Sequence, residues 1–296
     1  MVFVHLIAAE RRCNMAQTHQ LATRRHIHLE DGGAIAEIFT RGSDPYRKIV
    51  NGRQRKPVGR PVMIKAGMRA VEWESIKAEK PMYELCEVAT PVHSMFAQPH
   101  LLRMKIVGKY ERLDFIPDLR LSVDTGFAVQ VAKGAFVEAV RNWTPVRQGT
   151  LSTLIVEVKD DADPRIEDPD YQNKLRLAEQ VYRNVGWFFT TVVRSTHISH
   201  PKTDPAIAAL FLKRKTTLSP GDLSAVREAF GSQEKLPWKE VVAALGGGPT
   251  GVRKASAMHV RRLISVTVTE PLTDRSTVVR VQDGRPLFEL PGNYPW

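Results

Sequence analysis

Leu151-Ser152-Thr153-Leu154-Ile155-Val156-Glu157-Val158-Lys159 is the stretch whose reading decides the fold. It is an apolar, β-branched run that ends in an acid and an amine. Read as a strand, it alternates faces: Ile155, Glu157 and Lys159 share one, and Leu154, Val156 and Val158 share the other. A buried strand of this kind aims a carboxylate and an ammonium at a single point.

Working outward, strand-like runs over Leu101–Val107 and Tyr110–Val123 precede it, joined at Gly108-Lys109 as a hairpin. The second carries Pro117-Asp118. Further upstream, Trp73, Ile76, Met82 and Leu85 recur at helical spacing and predict a helix over Val71–Ala89, in which Pro81 either kinks the helix or begins its second half. Thr90-Pro91 turns the chain into a short strand within Val92–Pro99. Between Asp124 and Gln148, Phe127–Val140 reads as helix or bent strand. Downstream of Lys159, the acidic loop Asp160–Pro164 leads to a helix over Asp170–Val185. Asp168-Pro169 starts it, Gly186 stops it, and Tyr171, Leu175, Ala178 and Tyr182 form one face. Trp187–Val193 is then a buried strand. This order predicts an α/β fold: a mixed sheet with helices on its faces.

Composition bounds the function. The 296 residues carry a formal net charge of +11, an excess that favours a polyanionic partner, of which nucleic acid is the usual one. Two cysteines, Cys13 and Cys86, cannot form a disulfide framework and fit a reducing compartment. Apolar runs are too short to span a membrane, and Met1–Glu10 is too short and lacks the basic start of a signal peptide. A cytoplasmic protein without membrane partners is expected. His5, His19, His26 and His28 with Cys13 match no zinc-module spacing. Residues 1–69 read as an irregular basic arm, in which Pro57, Pro61, Gly52 and Gly59 disfavour helix. There Arg53, Arg55, Lys56 and Arg60 are candidates to track phosphates or enter a minor groove.

Pro-Asp, a spacer and Glu-x-Lys form the pattern of the PD-(D/E)xK nucleases, and a longer ordered series is present. Glu74-Ser75-Ile76-Lys77-Ala78-Glu79, Gln98-Pro99, Tyr110 ahead of Pro117-Asp118, Glu157-Val158-Lys159, Lys174 and Gly186-Trp187-Phe188 together resemble the TnsA-like endonuclease subunit of heteromeric transposases. The resemblance covers residues 70–200 and implies a restriction-endonuclease-like mixed sheet. It also implies a Mg²⁺- or Mn²⁺-dependent DNA endonuclease that cuts one strand at transposon ends. The residue chemistry agrees, because Mg²⁺ prefers carboxylate oxygens and water. Asp118 and Glu157 are the metal ligands in this reading, with the Val158 carbonyl, and Lys159 orients water or stabilises developing charge. By resemblance the helix acid is Glu79, with Glu74 as its competitor, and Gln98 and Lys174 are supporting residues. The implied partners are transposon-end DNA, a DDE-type transposase subunit and an AAA+-type ATPase regulator.

From Pro201 the pattern changes. Helices over Asp204–Lys215, Ser219–Phe230, Pro237–Leu245 and Thr250–Ile264, then a hairpin of Ser265–Thr269 with Ser276–Val281, describe a small helical winged-helix-like domain over 201–284. Its last helix offers Arg253, Lys254, Arg261 and Arg262 for DNA binding. Winged helices also dock proteins, and in the resembled family the C-terminal domain contacts the ATPase. Residues 285–296 form a tail, whose Pro291–Trp296 is a candidate docking peptide. A stand-alone restriction or repair nuclease and a non-catalytic winged-helix DNA-binding regulator are the alternative functions.

Overall fold

The computed structural model describes residues 21–29, 32–50, 57–106, 112–145 and 149–281. Strands β1 (Leu21–Leu29) and β2 (Gly32–Thr40) pair antiparallel. The two-residue strands β3 (Val62–Met63) and β4 (Arg69–Ala70) follow, then helix α1 (Glu79–Val88). Next come β5 (Val92–Ala97), β6 (Leu101–Ile106), β7 (Arg112–Phe115) and β8 (Leu119–Asp124). Helices α2 (Thr125–Val131) and α3 (Phe136–Asn142) precede β9 (Leu151–Lys159), α4 (Pro169–Asn184) and β10 (Phe188–Val193).

Two four-stranded sheets carry this part of the chain, ordered β1-β2-β6-β7 and β10-β9-β8-β5. The second is mixed, because β10 runs parallel to β9 while β8 and β5 are antiparallel to their neighbours. The alternation expected of β9 is visible in its packing. Leu154, Val156 and Val158 join a core shared with α1, α2 and α3, whereas Ile155 joins a second core built from α4 and the β6–β7 hairpin. Glu157 and Lys159 therefore share the α4 side with Ile155.

Several expectations need correction. Residues 21–29 and 32–40, read as part of an irregular arm, instead form the β1–β2 pair, which joins β6 and β7 in one sheet. Tyr110–Val123 is not one strand. After β7 the chain breaks at Ile116-Pro117-Asp118 and enters β8 in the other sheet, because Pro117 has no N–H to continue a ladder. The helix expected from Val71 begins at Glu79, which puts Pro81 in its first turn, where a missing N–H costs nothing. The preceding segment instead pairs back, with Trp73 bridging Gly59. A Cβ on Gly59 would sit 2.3 Å from the Trp73 ring, so this approach requires glycine. The α4 boundaries are written in the sequence as expected. Asp168 accepts the Asp170 N–H at the start. At the end, Gly186 takes φ +78°, with Gly186 N–H bonded to the Arg183 carbonyl and Trp187 N–H to the Tyr182 carbonyl.

Beyond residue 200, α5 (Asp204–Lys213), α6 (Pro220–Phe230), β11 (Lys235–Pro237), α7 (Trp238–Ala244), α8 (Gly248–Val260), β12 (Ile264–Val266) and β13 (Thr277–Arg280) build helices beside a three-stranded sheet of order β11-β13-β12. Ser219 and Asp222 cap α6 reciprocally. The apolar core runs on from the first part of the chain into these helices, taking in Met82 and Val156 together with Leu210, Val241 and Met258. The seam is also polar. Arg262 is buried, takes φ +57°, donates through Nε to the Thr90 carbonyl at 2.6 Å, and lies 2.9 Å from His93 Nδ1. His93 Nε2 contacts Asp124 Oδ1 at 2.8 Å, and Thr90 Oγ1 meets Ser265 Oγ at 2.9 Å.

This corrects the four-residue basic face expected at the last helix. Arg262 is buried at the seam, Lys254 pairs with Asp222 at 2.6 Å, and Arg261 donates to the Thr216 carbonyl at 2.9 Å. Arg253 remains exposed. Arg53, Arg55 and Lys56 of the arm and Pro291–Trp296 of the tail lie outside the described residues, as do His5, Cys13 and His19.

Replacing Arg262 with alanine should therefore act on folding. Its removal takes the guanidinium from the Thr90 carbonyl and His93 and the nearby positive charge from Asp124, 3.8 Å away, a loss of about 3–5 kcal/mol by analogy with other broken buried pairs. Urea unfolding of the full chain measures it, and Arg253→Ala should leave the midpoint unchanged.

Candidate active site

Two of the points at which the chain passes between the two sheets lie side by side. Gln98-Pro99-His100 carries it from β5 to β6, and Ile116-Pro117-Asp118 carries it from β7 to β8. Gln98 N–H donates to the Asp118 carbonyl at 2.9 Å and locks the two passages together. Gln98 is buried in a left-handed conformation, φ +48°, which costs a non-glycine residue energy and is held here by its partners. One of these is the Tyr46 N–H, which donates to the Gln98 carbonyl at 2.7 Å.

Asp118 is thereby delivered to the end of β9. Its Oδ2 accepts the Val158 N–H at 2.8 Å, and its Oδ1 accepts from Gln98 Nε2 at 3.2 Å. On β9, Glu157 Oε1 accepts from Lys159 Nζ at 2.7 Å. It also accepts from the Tyr171 hydroxyl of α4 at 2.6 Å. Lys159 is 2 % exposed, and Asp163 Oδ2 lies 3.6 Å from its Nζ. Glu79, the first residue of α1, is buried and accepts the Glu74 N–H at 2.8 Å. The side chain of Glu74 turns outward to Arg47 at 2.9 Å, and Arg47 Nε donates to Gln98 Oε1 at 3.1 Å. A chain of contacts thus links Glu79 to Asp118 through Glu74, Arg47 and Gln98.

Of these groups, all but Gln98 and Asp163 line one open cleft of about 490 Å³, together with Arg103, Asp114, Arg165 and Lys174. Every catalytic candidate from the sequence, Glu79, Asp118, Glu157, Val158 and Lys159, is on its wall, as are Glu74 and Lys174. Gln98 stands behind it, bonded to Asp118. Arg60 is elsewhere, paired with Glu72 at 3.2 Å. Sequence reasoning passed over Arg47, Asp163 and Arg165, and read Tyr171 only as part of a helix face. The signal that Tyr171 carried was its polar tip, on a face that also had to cover Glu157.

The electrostatics are dominated by burial of like charges. Burial, with Glu157 and Glu79 repelling it, holds the Asp118 carboxyl well above the usual carboxylate range. Burial likewise pushes the Glu79 carboxyl up to about 7, against the opposing hydrogen bond from Glu74. Glu157 Oε2 is buried with no hydrogen-bond partner. Among the described residues, no group of three or more His, Cys, Asp or Glu side chains is arranged to hold a metal ion. A hard cation that keeps several waters needs only one or two carboxylates, and the crowded acids and the unpaired Glu157 oxygen are donors of the right chemistry.

The Glu79 shift has a definite sign. Its carboxyl ionises near 4.5 when unfolded and near 7 when folded, so its burial penalty is absent below 4.5 and complete above 7. In chelator-containing buffer, Glu79→Gln should gain stability relative to wild type as pH rises through that window, by up to about 3 kcal/mol. Denaturant melts at pH 4.5 and pH 8 read the difference directly.

No protein-family model matches this chain, and no curated protein matches it significantly.

Proposed function

We propose that the protein is a Mg²⁺- or Mn²⁺-dependent DNA endonuclease that cuts one strand at transposon ends, as a TnsA-like subunit of a heteromeric transposase. The observation that carries the reading is the convergence of Asp118 from one sheet passage and Glu157 and Lys159 from one strand, with Glu79 from α1, on one cleft wall. The mixed sheet with α4 crossing between parallel β9 and β10 is consistent with the restriction-endonuclease-like fold this reading requires. The helices and three-stranded sheet beyond residue 200 would be its winged-helix-like element.

In this reading Asp118 and Glu157, with the Val158 carbonyl, hold the cation, and Glu79 is the helix acid rather than the outward-facing Glu74. The bound ion would neutralise phosphoryl oxygens and make an attacking water more acidic. Lys159, its ammonium fixed beside Glu157, orients that water or meets negative charge developing on the phosphoryl group. Lys174 and Arg165 stand on the same wall to receive the DNA backbone. The Val158 N–H and Gln98 keep Asp118 in place, so no side chain has to move to assemble the acids. The expected partners are transposon-end DNA, a DDE-type transposase that cuts the other strand, and an AAA+-type ATPase, in the cytoplasm. Among the described residues no helix is long and apolar enough to cross a membrane. A regulator acting through the last basic helix has less support, because Lys254, Arg261 and Arg262 are engaged within the chain.

The test is a nicking assay on transposon-end DNA with the partner transposase present and Mg²⁺ or Mn²⁺ supplied. Wild type should nick one strand, chelation should abolish cutting, and Lys159→Ala should slow it by on the order of 10²–10³-fold. Asp118→Ala should lose at least as much. Equal cutting by wild type and Asp118→Ala would sink the proposal.

A further inference from the structure

Tyr171 is supplied by neither strand motif, yet it touches both signs of charge in the cleft. Its hydroxyl donates to Glu157 Oε1 at 2.6 Å. Three cations surround its ring, with Lys159 Nζ at 4.6 Å, Lys174 Nζ at 4.8 Å and the Arg165 guanidinium at 5.4 Å from the centroid. The ring itself is fixed by burial at 8 % exposure, in the core under α4.

The consequence falls on Glu157. Its Oε1 accepts two charge-assisted bonds, from Lys159 and from Tyr171, and its Oε2 accepts none although it is buried. A buried carboxylate oxygen left without a donor is costly unless something else meets it. Two donors from different elements, one on β9 and one on α4, stop the carboxylate from exchanging its oxygens. We propose that Tyr171 is a positioning residue: its hydroxyl holds Glu157 Oε1 so that Oε2 is the oxygen presented to a divalent cation. This rests on the metal-dependent reading above.

Mn²⁺ binding to the full chain, without DNA, tests it through the paramagnetic resonance signal of the free ion. Tyr171→Phe keeps the ring, its packing and its three cations and removes only the donor. Support from a residue behind a metal ligand is commonly worth 10–100-fold in affinity, so Tyr171→Phe should weaken Mn²⁺ binding about 10-fold. Glu157→Gln should weaken it as well. Because Tyr171 acts through Glu157, adding Tyr171→Phe to Glu157→Gln should cause no further loss, whereas a general structural defect would subtract again. Wild-type binding by Tyr171→Phe, or an equal loss in the Glu157→Gln background, overturns the assignment and leaves the metal reading intact. Wild-type binding by Glu157→Gln removes the metal reading, and the role of Tyr171 with it.

Discussion

The antiparallel register of β8 on β9 is the constraint on which the rest depends. Leu119 faces Val156 across the ladder, and the residue before β8, Asp118, therefore meets the Val158 N–H. A slip of one residue would turn Leu119 and Leu121 out of the core and carry Asp118 away from that donor. Apolar packing on both faces of β9 sets the register, so the burial that stabilises the sheet is also what aligns the acids. Fold and candidate site cannot be varied separately here.

That arrangement concentrates charge where water is scarce. Asp118, Glu157 and Glu79 repel one another, and burial opposes ionisation of Asp118 and Glu79. The chain offsets this with donors it must already bury: a strand N–H, a glutamine in a strained turn, an ammonium and a phenol. Strand β9 supplies the N–H and the ammonium, the passage from β5 to β6 the glutamine, and α4 the phenol. The cluster is therefore tolerable only in the assembled fold, which places stored electrostatic strain at the candidate site.

Much of this was legible in the chain. The faces of β9 followed from alternation, and the limits of α4 from Asp168, Pro169 and Gly186, because these are local signals with local causes. The helix start at Glu79 was misread because Trp73 and Ile76 mimic helical spacing, while the decisive contact, Gly59 with Trp73, is made across the chain. The break at Ile116-Pro117-Asp118 was hidden because a strand changing sheets keeps its strand-like composition. Arg262 looked like a groove-reading cation since charge in a sequence reads as exposure, and only the tertiary contacts with Thr90 and His93 reveal it as buried. Arg47 was unreadable for the same reason, its partner Gln98 being 51 residues away, and Tyr171 offered only its polar tip, because its partner Glu157 is 14 residues away.

The Arg262 seam ties the two parts of the chain to each other. Strand β8 has Asp118 just before one end and Asp124, beside the seam, at the other. The helices beyond residue 200 are thus riveted to the same strand that presents a site acid. A replacement for the part beyond residue 200 that carried no arginine here would remove the cation that meets the Thr90 carbonyl, His93 and Asp124, so the two parts can be exchanged only as matched pieces.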